Sequence, residues 1–257
     1  MNDPLIIADR TFESRFLLGT GKFANKQDLA ESIRLSETEI VTVALRRIDL
    51  ERHEDNILEY IPDGITLLTN TSGARNAREA LRIARLARES GCGNWIKIEV
   101  INDSKYLLPD NSATVEATRL LVDDGFVVLP YMFPDLYCAR ELAAAGAATV
   151  MPLASPIGSN QGLLAREFIR ILKNEIDIPI VVDAGLGAPS QAAEAMELGA
   201  DAVLVNTAVA TAGRPAEMAL AFAEAICSGR RAYLSGLPAR RHTAEPSSPL
   251  TGFLYNT

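Results

Sequence analysis

The most unusual side chains in this sequence are a lysine and a glutamate inside an apolar run. In WIKIEV, Lys97 and Glu99 alternate with Ile96, Ile98 and Val100. Side chains of a strand alternate between its two faces, so Lys97 and Glu99 are expected on the same face. A buried charged pair is costly and is weak evidence for stability. The pair therefore predicts an amine nucleophile beside a carboxylate that transfers protons, with a purely structural ion pair as the alternative.

A second carboxylate, Asp183, ends another apolar run and precedes the glycine-rich loop AGLGAPS. It is expected to face the same interior as Lys97 and to join its acid–base chemistry. The alternative is a structural role, either capping a helix or accepting a hydrogen bond from the loop backbone. Burial lowers the pKa of a lysine and nearby carboxylates raise it, so the sequence leaves the protonation of Lys97 open.

Apolar runs alternate with amphipathic segments along the chain, and this alternation predicts the strands and helices that position these residues. Eight strands are predicted near residues 16–18, 40–45, 65–68, 95–101, 126–129, 149–151, 180–182 and 202–205. Helical spacing of apolar residues predicts helices at 74–89, 109–122, 136–145, 163–174, 189–198 and 215–227. Gly146, Gly199 and Gly229 are expected at the carboxyl-terminal caps of helices.

This alternation predicts an α/β protein that is a single (β/α)8 TIM barrel. An open doubly wound sheet is disfavoured because no GxGxxG follows an early strand. One barrel domain is expected over residues 1–257. Within it, 229–257 looks irregular, either as a mobile surface tail or as a lid over the barrel mouth. Arg46 and Arg47, after the second strand, are interpreted as solvent-facing, with contact to a phosphate or to the tail of a protein partner as the alternative. His53 is also interpreted as solvent-facing.

Three loops of such a barrel have the composition of a phosphate site. Ala184 and Gly185 follow the seventh strand, Asn206 and Thr207 follow the eighth, and Gly158 lies in the loop after the sixth. Barrels of this class bind phosphates beside the loops after strands seven and eight. Glycines allow close approach of the backbone, and the helix after the seventh strand is expected to offer free N–H groups.

Composition excludes several other classes of protein. A formal net charge of −8 argues against a nucleic-acid binder, because phosphate backbones select for basic surfaces. No apolar run reaches the roughly 18 residues of a membrane span, and the first residues lack the pattern of a secretory signal. The expected compartment is the cytoplasm. Three scattered cysteines and two histidines predict neither a disulfide framework nor a zinc site.

Several segments together resemble the bacterial thiazole synthase family of thiamin biosynthesis. The resemblance extends from about residue 7 to 254 and rests on LGTGKF, EIVTVALRR, TNTSGARNAREA, GCGNWIKIEVI, YLLPD, GFVVLPY, ATVMPL, SPIGSN, VVDAGLGAPSQAAEAMELGADAVLVNTA and SSPLTGF. One departure is Ala154, where the family pattern has glycine. If that position required a positive φ, alanine would cost about 1 kcal/mol.

The resemblance implies an enzyme that condenses 1-deoxy-D-xylulose 5-phosphate, dehydroglycine and sulfur into a thiazole phosphate. Sulfur would arrive as the C-terminal thiocarboxylate of a small sulfur-carrier protein, and dehydroglycine from a glycine oxidase or a radical tyrosine lyase. Lys97 would form the Schiff base, and Glu99 and Asp183 would transfer protons. The sugar phosphate would contact Gly158, Ala184, Gly185, Asn206 and Thr207.

The resemblance further implies a homo-oligomer, either a tetramer or a dimer. Neither pyridoxal phosphate nor a metal is expected, because an imine on lysine is itself an electron sink. Two alternatives remain open. One is another Schiff-base barrel, such as a class I aldolase, and the other is a non-catalytic phosphosugar-binding or scaffold protein.

Overall fold

The computed structural model describes residues 3–45 and 56–248. Its strands are β1 (Leu5–Ile7), β2 (Arg10–Phe12), β3 (Phe16–Gly19), β4 (Ile40–Ala44), β5 (Thr66–Asn70), β6 (Trp95–Ile98), β7 (Val127–Met132), β8 (Met151–Pro152), β9 (Val181–Val182) and β10 (Ala202–Val205). Its helices are α1 (Lys26–Ser36), α2 (Ala77–Glu89), α3 (Asn111–Asp123), α4 (Leu136–Ala144), α5 (Arg166–Glu175), α6 (Pro189–Glu197), α7 (Thr207–Ala210) and α8 (Pro215–Ser235), with a 3-10 turn at Ile57–Tyr60.

Strands β3 to β10 form one parallel sheet that closes into a barrel. Hydrogen-bonded neighbours follow the order β8-β7-β6-β5-β4-β3-β10-β9. The two ends of this order are joined by parallel bridges from Val150 to Ile180 and from Leu153 to Asp183. The predicted (β/α)8 TIM barrel is confirmed, and all eight predicted strands lie where the apolar runs indicated.

A short hairpin closes the end of the barrel opposite the carboxyl ends of the strands. Strands β1 and β2 pair antiparallel, and their side chains pack into the barrel interior. Phe12 meets the ring of Trp95 edge-on, with 5.7 Å between ring centroids. The hairpin is tied to the far end of the chain, because Arg230 donates two hydrogen bonds to the Asp3 carboxylate at 2.8 and 2.9 Å. These contacts fill the floor of the barrel and leave its mouth open.

Helix α2 shows how local sequence produces the outer layer. The side chain of Asn76 accepts a hydrogen bond from the N–H of Glu79 and so caps the first turn. Alanines three or four residues apart form its buried face: Ala77, Ala80, Ala84 and Ala87. Small side chains on this face let the helix pack close to the barrel strands, together with Ile96 and Ile98 of β6.

The predicted cap at Gly229 is wrong. Gly146 and Gly199 follow helix ends with positive φ angles of 89° and 98°, as expected of glycine caps. Gly229 instead lies inside α8. A Cβ there would lie 2.4 Å from the carbonyl oxygen of Ala193, so the missing side chain lets α8 pack closely on α6. The irregular segment therefore begins at Gly236 and not at Gly229.

After Gly236, the described residues up to 248 are exposed and without regular secondary structure. Arg46, Arg47, His53 and the end of the SSPLTGF motif lie outside the described residues. Ala154 is fully buried and does not have a positive φ angle, so alanine is unstrained where the family pattern has glycine. Among the described residues, no helix is both long and apolar enough to cross a membrane.

Candidate active site

Lys97, Glu99 and Asp183 meet inside the barrel near its mouth. The Nζ atom of Lys97 lies 2.5 Å from Oδ2 of Asp183 and 3.3 Å from Oε1 of Glu99. All three residues are buried, with exposed fractions of 5%, 8% and 2% for Lys97, Glu99 and Asp183. Lys97 and Glu99 lie on one face, as strand alternation predicted, and Asp183, the residue after β9, joins them from the other side of the interior.

Hydrogen bonds hold the carboxylate of Asp183 and the backbone of Glu99 in place. Oδ1 of Asp183 accepts a hydrogen bond of 2.7 Å from the N–H of Ala184. The backbone around Glu99 is held by the hydroxyl of Thr71, which accepts from the N–H of Glu99 at 2.8 Å and donates to its carbonyl oxygen at 3.0 Å. One oxygen of Asp183 thus accepts a hydrogen bond from the loop backbone, as the structural role considered for it predicted. Its other oxygen contacts Lys97.

The protonation of Lys97 reflects two opposing effects. Burial lowers the pKa of its amine, whereas the charges of Asp183 and then Glu99 raise it. The carboxylates prevail, and the pKa of Lys97 is raised above its ordinary value. An amine whose pKa is raised in this way has to lose a proton before it can act as a nucleophile.

The three residues line a cavity of about 710 Å³ that opens at the carboxyl ends of the strands. This volume suits a small metabolite with room for a second reactant. The cavity reaches every residue that the sequence proposed for substrate binding: Gly158, Ala184, Gly185, Asn206 and Thr207. A structural ion pair needs no such cavity beside it, so the position of Lys97 favours chemistry.

One side of the cavity is built from the loops after β8, β9 and β10. The amide of Asn206 packs over two glycines near the end of β3, and a Cβ at Gly19 would lie 2.5 Å from the Asn206 Cβ. Oδ1 of Asn206 is buried and has no hydrogen-bond partner among the described residues. The side chain of Asn206 does not cap α7, so the first N–H groups of that helix remain available.

Backbone strain is concentrated around this cavity. Six non-glycine residues of the described chain have a positive φ angle, and four of them line the cavity: Lys22, Leu107, Asn160 and Ala184. Each such conformation costs on the order of 1 kcal/mol and persists only where the surroundings impose it. The strained backbone of the described chain is thus concentrated at the mouth of the cavity.

The predicted free start of the helix after the seventh strand is wrong in part. Oε1 of Gln191 accepts hydrogen bonds from the N–H groups of Gly187 and Ala188 at 2.8 and 3.0 Å. Pro189, the first residue of α6, has no N–H. Gln191 therefore occupies the N–H groups of the two residues before α6, and Pro189 offers none.

Two basic residues at the mouth were missed by the sequence analysis. Lys22 lines the cavity after β3, and a Cβ at Gly158 would lie 2.8 Å from its Nζ. Arg75 also lines the cavity, after β5. Both belong to quoted motifs, LGTGKF and TNTSGARNAREA, but exposed basic residues in loops are so common that position in the fold was needed to single them out.

Comparison with known proteins gives the family. The family described as "Thiazole biosynthesis protein ThiG" matches residues 6–249. The chain belongs to the thiazole synthase family. The thiazole synthase of Acetivibrio thermocellus is 63% identical, covering 99% of this chain and all of that protein. The thiazole synthase of Pelotomaculum thermopropionicum is 61% identical, covering 99% of each.

A solved structure extends this family match to three dimensions. The Amycolatopsis orientalis BexX/CysO complex contains a chain 35% identical to this one, with a TM-score of 0.83, covering 95% of this chain and all of that one. A native KDPGal structure matches with a TM-score of 0.60 at 18% identity, which shows a shared fold alone. The thiazole synthase barrel described above is therefore an enzyme of thiamin biosynthesis.

Proposed function

We propose that this thiazole synthase acts through a Schiff base between Lys97 and 1-deoxy-D-xylulose 5-phosphate. The observation that carries the proposal is the position of Nζ, buried between two carboxylates and facing a cavity of about 710 Å³. A ketone at C2 of the sugar would be attacked by the neutral amine, and water would leave as the imine forms. Asp183 is the nearest base for the proton that the ammonium must lose.

The phosphate is proposed to bind on the β8–β10 side of the cavity. Gly158, Ala184, Gly185, Asn206 and Thr207 line that side. Uncapped N–H groups at the start of α7 donate hydrogen bonds well to an anion. The nearby ammonium of Lys22 adds a charge of the required sign, and the unpartnered Oδ1 of Asn206 suits a sugar hydroxyl.

The subsequent proton transfers are assigned to Glu99 and Asp183. Once the imine has formed, a proton leaves C3 and a proton is added at C2. The imine thereby becomes an amine on C2, and the C3 hydroxyl, which loses its own proton, becomes a ketone. Both carboxylates lie within 3.3 Å of the lysine nitrogen, so either is close to the atoms that exchange protons. Neither pyridoxal phosphate nor a metal enters this scheme, because the imine itself withdraws electrons.

The sulfur donor is proposed to be the C-terminal thiocarboxylate of a small sulfur-carrier protein. After its attack at C3, transfer of the acyl group from sulfur to the C3 oxygen would leave the sulfur on C3, and the carrier would depart as its carboxylate with that oxygen. Dehydroglycine from a glycine oxidase or a radical tyrosine lyase would then add, and loss of water would close the ring. The relative solved as a BexX/CysO complex supports a protein partner on this fold.

We also propose a cytoplasmic homo-oligomer, either a dimer or a tetramer. Exposed apolar side chains lie three or four residues apart along α5 and just before it, with exposed fractions of 66% for Leu164, 57% for Phe168 and 39% for Ile171. A contiguous apolar stripe of this kind is typical of a subunit contact. Analytical ultracentrifugation of the wild type and of Phe168→Glu tests this, and a wild-type monomer would exclude the oligomer.

Borohydride trapping tests the Schiff base. The purified protein is incubated with 1-deoxy-D-xylulose 5-phosphate, reduced with borohydride, digested and examined by mass spectrometry. We expect the reduced sugar adduct on the peptide that contains Lys97. Lys97→Arg keeps a positive charge between the carboxylates but cannot form the imine, and Lys173→Arg, away from the mouth, is the matched control that should still trap.

The outcomes separate the alternatives. An unmodified Lys97 peptide, under conditions that trap a known Schiff-base enzyme, would contradict the proposed Schiff base and leave Lys97 in a structural ion pair. Trapping accompanied by cleavage of the sugar, with no need of a sulfur donor, would indicate a class I aldolase. Trapping together with thiazole formation that requires the thiocarboxylated carrier would support the synthase.

A further inference from the structure

Tyr131 lies against the lysine site without lining the cavity. It is on β7, the strand next to that of Lys97, and Lys97 is in register with Leu129, two residues earlier. Tyr131 therefore points to the same interior as Lys97 and Glu99. Its side chain is fully buried, and the centroid of its ring lies 5.5 Å from Nζ of Lys97. The ring face is thus a close neighbour of the lysine cation.

The hydroxyl of Tyr131 is left without a partner. It is buried and makes no hydrogen bond to any described residue, and Oδ2 of Asp183 likewise has no hydrogen-bond donor of suitable geometry besides its ion pair with Lys97. Burial, and then the charges of Asp183 and Glu99, raise the pKa of Tyr131. The phenol consequently stays neutral and keeps its O–H as a donor.

Formation of the imine changes the number of donors in this interior. The ammonium of Lys97 carries three N–H groups and serves Asp183 and Glu99 together. Once Nζ is bonded to a substrate carbon, the protonated imine has one N–H and can serve only one of the two carboxylates. The other would lose the ammonium donor that it has in the free enzyme, which is unfavourable for a buried charge.

We propose that Tyr131 is a positioning residue of the Schiff-base site. Its ring faces the lysine cation in the free enzyme, and its hydroxyl donates to Asp183 once the imine has replaced the ammonium. This inference rests on the proposed Schiff base. It assigns Tyr131 no contact with substrate, because Tyr131 does not line the cavity. Its effect is exerted through the placement of Lys97 and Asp183.

Two variants separate the hydroxyl from the ring. Tyr131→Phe keeps the ring and removes the donor, so we expect borohydride trapping to keep its wild-type pH dependence. Turnover to thiazole should fall about ten- to a hundredfold in kcat, with KM for the sugar phosphate changed less than twofold. Tyr131→Leu also removes the ring face, so the pH profile of trapping should move to lower pH. Tyr106→Phe, with an exposed ring, is the control and should match the wild type.

Thermal unfolding distinguishes positioning from a structural role. Removing a buried hydroxyl that has no partner does not weaken packing, so Tyr131→Phe should melt at the wild-type temperature or above it. Lower kcat in a variant of undiminished stability supports the inference. Wild-type kcat in Tyr131→Phe would overturn it, even if Tyr131→Leu fails to fold. A wild type that does not trap would instead overturn the Schiff base itself.

Discussion

Replacing Asp183 by asparagine tests the electrostatic account of the lysine site. Asn keeps the shape of the side chain and removes the charge that lies 2.5 Å from Nζ of Lys97. With an effective dielectric constant of about 20, Coulomb attraction at this distance is about 7 kcal/mol, against about 5 kcal/mol for Glu99 at 3.3 Å. Asp183 therefore supplies the larger part of the attraction that keeps the buried ammonium charged.

The stability of Asp183→Asn should fall accordingly. Removing one partner of a buried ion pair costs about 3–5 kcal/mol, because the remaining charge is left incompletely balanced. The pKa of Lys97 is raised by folding, so its stabilisation is complete below the unfolded pKa of about 10.4 and is lost as pH rises through the folded value. The difference in unfolding free energy between Asp183→Asn and the wild type should therefore be largest at pH 7 and decrease at alkaline pH.

Urea unfolding at several pH values measures this difference, and borohydride trapping gives a second measurement. With less negative charge nearby, the pKa of Lys97 falls, and trapping should begin at a lower pH than in the wild type. Glu99→Gln should show the same trends more weakly. Asp123→Asn, an exposed change at the end of α3, is the control. Asp183→Asn with wild-type stability at pH 7 and an unchanged trapping profile would refute the reasoning.

Three further predictions concern other parts of the molecule. Lys22→Gln should raise KM for the sugar phosphate about tenfold and leave maximal trapping unchanged, because an ammonium beside Gly158 stabilises a bound phosphate. An unchanged KM in steady-state kinetics would contradict this. Gly229→Ala should destabilise the protein by about 1–3 kcal/mol in urea unfolding, opposite to the usual gain inside a helix, because its Cβ would meet the Ala193 carbonyl. Iodoacetamide at pH 8 should label the exposed Cys227 before Cys138, since burial raises the pKa of Cys138 to about 12. Peptide mapping measures the two rates, and equally fast labelling of Cys138 in the folded protein would contradict the prediction.

The eight barrel strands were predictable because a strand of a parallel sheet is buried on both faces. In the sequence such strands are short apolar runs, so charged residues within one of them are easily recognised. Lys97 and Glu99 were identified in this way, and strand alternation was enough to place them on one face. That Asp183 reaches Nζ from β9 required the barrel to close, which is a property of the whole chain.

Other features were out of reach because they depend on contacts between distant segments. The hairpin of β1 and β2 has strands of three residues each, too short for periodicity to detect. Gly229 looks like any glycine near a helix end, and only the approach of α6 explains why the helix continues through it. The capping of α6 by Gln191 likewise depends on loop geometry that composition does not reveal.

The bidentate contact between Arg230 and Asp3 joins residues 227 positions apart in the chain. At a synthesis rate of about 5–20 residues per second, roughly 10–45 s pass on the ribosome between the appearance of one partner and the other. The hairpin at the floor of the barrel is therefore secured last. During that interval the nascent chain exposes the apolar lower interior, and this is the stage at which assistance from chaperones would matter most.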